Sequence, residues 1–278
     1  MLIEGYGGPQ DLVLARDLLE QLVSRDIGNG VLAGMLGDMF YHGRGGTEDK
    51  VRARQLFEMG AGVGDSLSNF MLGVMALYGT GEPQDYIKAR KFFELAADEQ
   101  LDARFNLALM LERGEGGPQD LSRARALFEN LVSKEFGRAR AFLAYMIWQG
   151  EGGPKNEVQA RSMYEELVRE GDKSLIFALA SMLYKGQGGP KDLSRARDLF
   201  EQGAALGNHG SGHYLAVMLR NGQGGPEDKV RARALLEKLA AENGDKAMED
   251  LASMLRAGEG GPKDEARAQK LIERLGKR

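Results

Sequence analysis

Apolar residues recur at helical spacing in short bursts, the bursts end in glycine, and the pattern repeats along the chain. In one kind of burst a leucine (Leu36, Leu72, Leu107, Leu143, Leu179, Leu215, Leu251) is followed three residues later by a methionine (Met39, Met75, Met110, Met146, Met182, Met218, Met254) every time. Residues at i and i+3 share one side of a helix, so each copy predicts a helix, here called A, with this side in the core. Gly37, Gly73, Ala108, Ala144, Ala180, Ala216 and Ala252 follow the leucines and permit a neighbour to come close. A methionine stripe at this spacing reads as core filling before it reads as a soft-metal site. Helix A should end at Gly43, Gly79, Gly114, Gly150, Gly186, Gly222 or Gly258, because glycine takes the left-handed C-cap conformation without steric cost.

A Gly-x-Gly-Gly-Pro turn follows each helix A. Pro9, Pro83, Pro118, Pro154, Pro190, Pro226 and Pro262, with Thr47 in the remaining copy, mark eight turns separated by 38, 36, 35, 36, 36, 36 and 36 residues. A fixed period in this range is a signature of stacked helix pairs. Two residues beyond each proline position stands Asp11, Asp49, Asp85, Asp120, Asn156, Asp192, Asp228 or Asp264. All eight carry the side-chain oxygen an N-cap needs, worth about 1 kcal/mol each, so a second helix, B, begins there. Helix B carries Ala15, Ala53, Ala89, Ala124, Ala160, Ala196, Ala232 and Ala268, followed by large pairs such as Leu56-Phe57, Leu127-Phe128 and Leu199-Phe200. Small then large at helical spacing is a packing face.

The succession Leu-Ala-x-Met, Gly-x-Gly-Gly-Pro-x-Asp and Ala-Arg-x-Leu-Phe-Glu, complete between Ala178 and Glu201, resembles the Sel1-like repeat family, a relative of the tetratricopeptide repeats. The resemblance implies one antiparallel helix pair per repeat, stacked into a right-handed α-solenoid whose concave helix-A face receives proteins or peptides. The expected fold is all-α, a single solenoid over residues 1–278: a partial N-terminal repeat of turn and helix B (1–28), then seven helix pairs (29–278), about 15 helices in all. Recurrent Gly-Gly-Pro, where many family members have Gly-Val, marks a subfamily.

Composition changes this picture little. Of the 39 glycines, 23 belong to the recurring turns, so they punctuate a periodic chain rather than signal disorder. A formal charge of -4 offers no electrostatic footprint for nucleic acid or an anionic membrane, and neither is expected as a partner. With no cysteine there is no disulfide, thiolate metal site or cysteine nucleophile. The start, Met1 to Tyr6, has no export-signal pattern, and no apolar run approaches the roughly 18 residues of a membrane span. A cytoplasmic monomer without membrane insertion is the expectation, or a periplasmic or secreted protein if an export signal lies upstream of Met1.

Comparison of the seven A helices separates a constant face from a changing one. The changing stripe carries Tyr41, Tyr78, Glu112, Tyr145, Trp148, Tyr184, His213, Tyr214, Arg220 and Arg256, including five of the eight tyrosines and the only tryptophan. Aromatic residues and arginine dominate interface energetics, so these ten are the candidate protein-binding residues, centred on Tyr145, Trp148 and Tyr184. The competing reading packs such rings between repeats, above all Phe105, Phe142 and Phe177.

Other signals are weaker. Arg54, Arg90, Arg125, Arg161, Arg197 and Arg233 each precede a glutamate by four residues, an arrangement read as a solvated face with inter-repeat bridging as the alternative. The glycine-rich turns imitate a phosphate loop, but have no Walker lysine and no preceding strand. His209 and His213 have metal-seating i, i+4 spacing, yet no third ligand is identifiable, and no metal or cofactor is expected. Ser181, Ser211 and Ser253 form no recognisable catalytic constellation. The functional expectation is a non-enzymatic scaffold or adaptor. The alternative, implied by the β-lactamase or penicillin-binding designation of some cysteine-rich relatives, is a β-lactamase-like or cell-wall-directed hydrolase.

Overall fold

The structure, a computed structural model, describes residues 11–25, 29–242 and 244–276; the turn ending at Pro9 lies outside them. In chain order the α-helices are α1 (Leu12–Ser24), α2 (Asn29–His42), α3 (Lys50–Gly62), α4 (Ser66–Tyr78), α5 (Tyr86–Ala96), α6 (Leu101–Arg113), α7 (Leu121–Ser133), α8 (Ala139–Gln149), α9 (Glu157–Arg169), α10 (Ile176–Lys185), α11 (Leu193–Ala205), α12 (His209–Arg220), α13 (Lys229–Ala241), α14 (Asp245–Ala257) and α15 (Glu265–Leu275). Even-numbered helices are the A helices and odd-numbered ones the B helices. The described residues contain no strand, so the all-α architecture stands. None of their helices is long and apolar enough to cross a membrane.

The chain divides into two compact units, Met1–Leu143 with Glu151–Gly153, and Ala144–Gly150 with Pro154–Arg278. In the first, each of α1 to α6 packs on the helix that follows it, and α2 meets α4 as α4 meets α6. In the second, each of α9 to α14 packs on its successor. Both are therefore stretches of α-solenoid, in which a helix pair buries its apolar face against the next pair.

Local chemistry sets the helix ends. All eight cap residues accept a hydrogen bond from the backbone N–H three residues on, at 2.8–3.0 Å. At the other end the seven C-terminal glycines of the A helices have φ between +63° and +79°. At six of them the N–H of the following residue reaches back to the carbonyl of the repeated methionine, as at Arg44 to Met39 and Gln187 to Met182, and at the seventh Gly150 itself donates to Met146, which satisfies a carbonyl the helix end would orphan. The methionine side chains at these positions are almost fully buried, as are the leucines three residues before them. Where the small residue between them is glycine the reason is steric: a Cβ on Gly73 would lie 2.7 Å from the Phe93 ring.

The arginine row corrects the solvated reading. Arg16, Arg125 and Arg233 are buried, and Arg16, Arg90, Arg161, Arg197 and Arg233 each donate to the carbonyl at the proline position of the next turn, at 2.9–3.1 Å. A Cβ on the glycine just before that position would fall 2.7–2.9 Å from an arginine Nη1 at Gly46, Gly117, Gly153, Gly189, Gly225 and Gly261. The second glycine of Gly-Gly-Pro is thus the space in which an arginine from the preceding repeat lies. Glu82 replaces it once, and there Arg54 turns its Nη1 toward the Glu82 carboxylate, at 3.5 Å. The arginines also approach glutamates of their own helix, for instance Arg125 with Glu129 at 3.0 Å. Those glutamates in turn bind arginines from the next B helix, such as Arg123 with Glu94 and Arg195 with Glu165, both at 2.9 Å.

Candidate protein-binding face

The candidate residues all lie on A helices, but their surroundings differ. Tyr41 is half-buried at the end of α2, with the Lys50 ammonium 3.7 Å above its ring and Phe57 at 6.4 Å. Tyr78, at the end of α4, is 72% exposed. Glu112 is half-buried and pairs with Arg113 at 3.6 Å. Phe105 is only 3% exposed and sits among Phe128, Phe136 and Phe142, with ring centroids 5.4–5.9 Å away. The guanidinium of Arg138 covers it at 4.7 Å. In the first unit, then, most rings near this face already have partners within the fold.

In the second unit some of the rings line open space, Tyr145, Trp148 and Tyr214 among them but not Tyr184. Tyr145, Trp148, Tyr164, Phe177, Ser181 and Lys185, with Ala178, Met182 and Tyr214, surround a cavity of about 260 Å³. Tyr145 is 42% exposed and meets Trp148 edge-on, 6.1 Å between centroids. Trp148 is half-buried, while its indole N–H is buried and without a hydrogen-bond partner. Tyr184 is half-buried, edge-on to Tyr214 at 5.6 Å, and its hydroxyl pairs with Gln223 at 3.2 Å. Tyr214 itself stacks on the core ring of Phe200, tying the slot wall to the interior. Toward the C-terminus the face becomes charged and paired. His213 meets Asp250 at 2.7 Å; Arg220 meets Glu259 at 2.5 Å and the Ser253 hydroxyl at 3.1 Å; exposed Arg256 meets Glu265 at 3.8 Å.

Tyr164 lines the slot but comes from helix B, outside the stripe the sequence singled out. The signal for it was its position, four residues beyond Ala160, where other repeats have Phe57, Phe93, Phe128 and Phe200. Its side chain is 2% exposed, and burial, with Tyr145 as a smaller cause, pushes the phenol up to about 12. The small residues Ala178 and Ser181 leave the opening: at the corresponding places α6 has Asn106 and Leu109, and α4 has Met71 and Val74.

The weaker signals resolve differently. His209 pairs with Glu242 at 3.0 Å, so the two imidazoles of α12 are each directed to a carboxylate of a later segment. Among the described residues no group of three or more His, Cys, Asp or Glu side chains is arranged to hold a metal ion. Ser211 is fully buried, and its backbone N–H is capped by Asn208 at 2.8 Å. That cap, like Asp65 at the start of α4, escaped the repeat pattern because A helices begin differently from copy to copy.

The Sel1 repeat family model matches residues 1–26, 33–65, 66–100, 101–130, 137–172, 175–208, 213–244 and 245–277. Comparison with curated proteins returns no significant match. Among solved structures, a protective antigen of uropathogenic Escherichia coli with an SLR fold is similar at a TM-score of 0.75 and 23% identity, over 94% of this chain and 56% of that one. The present chain thus spans little more than half the length of that relative. A Sel1 repeat protein from Oxalobacter formigenes is similar at a TM-score of 0.67 and 21% identity, over 87% of this chain and 96% of that one. Folds of this kind generally serve as protein-interaction scaffolds. Eight matched repeats cover nearly the whole sequence, and the chain belongs to the Sel1 repeat family.

Proposed function

We propose that the protein is a non-enzymatic adaptor that holds an extended segment of a partner protein on its helix-A face, centred on Tyr145, Trp148, Tyr184 and Tyr214. The observation that carries this reading is the open aromatic slot of the second unit. Apart from the buried Tyr164 its rings are partly or fully accessible and grouped together, and clustered aromatics around a concavity are what interface hot spots are made of. The charged end at His213, Arg220 and Arg256 supplies a polar rim. Photo-crosslinking tests the reading: a benzophenone side chain is placed at Tyr145 or Tyr78, and for comparison at Val158 on the exposed side of α9. A partner protein captured from the source cells at Tyr145 and not at Val158, and lost in Trp148→Ala and Tyr184→Ala with helicity unchanged, is the expected result. Equal capture at both positions, or binding that survives both substitutions, removes the site.

A further inference from the structure

We infer that the slot of the second unit receives an apolar side chain, preferably aromatic, from a partner segment whose neighbouring residue is acidic. This rests on the helix-A face being the partner-binding face and names what it selects. At about 260 Å³ the slot lies below the roughly 300–1,000 Å³ of small-molecule pockets and has room for one large side chain. Its walls are aromatic, with Met182 and Ala178 completing them.

The polar groups of the slot are one-sided. Lys185 is its single charged lining residue and forms no ion pair among the described residues; no carboxylate lines the slot. The Trp148 indole N–H is buried without an acceptor, so no hydrogen bond pins the ring. A cation beside an apolar hollow complements a ligand that is apolar at its tip and anionic beside it. The anion is assigned to a side chain rather than a chain end, because the groove does not stop at the slot. Phe177 and Tyr214 also line an adjoining cleft of about 420 Å³ shared with His213, Asp245 and Lys246, so the groove continues from the Phe177 end of the slot.

Trp148 is the only tryptophan, so intrinsic fluorescence reports on the slot alone. The probes are short acetylated, amidated peptides with a central Phe-Asp, and their Phe-Asn, Phe-Lys and Ala-Asp counterparts, together with one ending in a free phenylalanine carboxylate. Binding is read from Trp148 emission and, independently, from anisotropy of fluorescein-labelled peptide. Phe-Asp should saturate; replacing Phe by Ala should weaken binding roughly tenfold or more, the value of burying one large side chain. Replacing Asp by Asn should weaken it about threefold, the scale of an exposed ion pair, with Phe-Lys weaker still. Lys185→Gln, at an exposed position, should erase the Asp-over-Asn difference and keep the Phe dependence, while Lys185→Arg should keep both. No saturable binding of Phe-Asp, equal binding of Phe-Asp and Phe-Asn, or a preference that survives Lys185→Gln overturns the inference, as does stronger binding of the terminal carboxylate. None of these results bears on whether crosslinks form at Tyr145, so the broader reading fails or stands separately.

Discussion

Tyr41 and Trp148 occupy the same place in their repeats, five residues beyond the recurring leucine, yet one is a packed ring and the other the wall of an opening. Around Tyr41 the fold supplies Lys50 above the ring and Phe57 beside it. Phe105, two repeats further on in the same unit, is enclosed by three further phenylalanines and Arg138. Around Trp148 the following A helix brings Ala178 and Ser181, which are too small to fill the space. Register decides which positions face outward, while the side chains that the following helices bring against a ring decide whether it is covered. A binding slot in this architecture is a pair of small residues next to large ones, and no change of backbone is needed to make it.

The contrast between packed and open rings can be tested by substitution, beginning with the core. Phe93→Ala empties a fully buried position against Gly73 and should cost about 3–5 kcal/mol in urea unfolding, whereas Tyr145→Ala at the open slot should stay within about 0.5 kcal/mol. Comparable losses would mean that the slot rings hold the fold together. The scaffold common to both regions is probed by Gly224→Ala. This residue has φ +69°, and a Cβ would lie 2.2 Å from the Leu193 carbonyl oxygen of the preceding repeat. A loss of about 2 kcal/mol or more is expected, compared with no loss for Gly62→Ala, where nothing lies within 4 Å.

Ser181→Leu places in α10 the residue type that α6 carries there as Leu109, and so should convert the open slot into the packed kind. Binding of the Phe-Asp peptide should fall at least about tenfold with stability changed by less than about 1 kcal/mol. Unaltered binding would show that the small residues are not what opens the slot. The smallest effect is alkaline. Tyr164 is held protonated by burial, with its phenol raised from 10.0 to about 12. The folded state therefore binds this proton more tightly than the unfolded chain, and the stability it lends is complete below pH 10 and lost as pH rises from 10.0 to about 12. Tyr164→Phe should flatten that part of the fall in urea midpoint; a parallel decline in both proteins would show that Tyr164 is not protected in the slot.

By itself the sequence determined the helix pairs, their period, the N-caps of the B helices and their constant core. These depend on neighbours within one turn of chain: Asp192 caps the N–H of Arg195, and Gly186 ends the helix in which Met182 sits. Only the tertiary structure decided which surface rings are covered and what the arginine row does. Arg161 meets Pro190, Phe105 meets Phe142, and Trp148 shares a slot with Ser181, each partner lying roughly one period away in sequence. Adjacent residues dictate dihedral angles and helix ends, but exposure depends on side-chain volumes brought together from successive repeats, and those volumes vary where the repeat pattern itself does not.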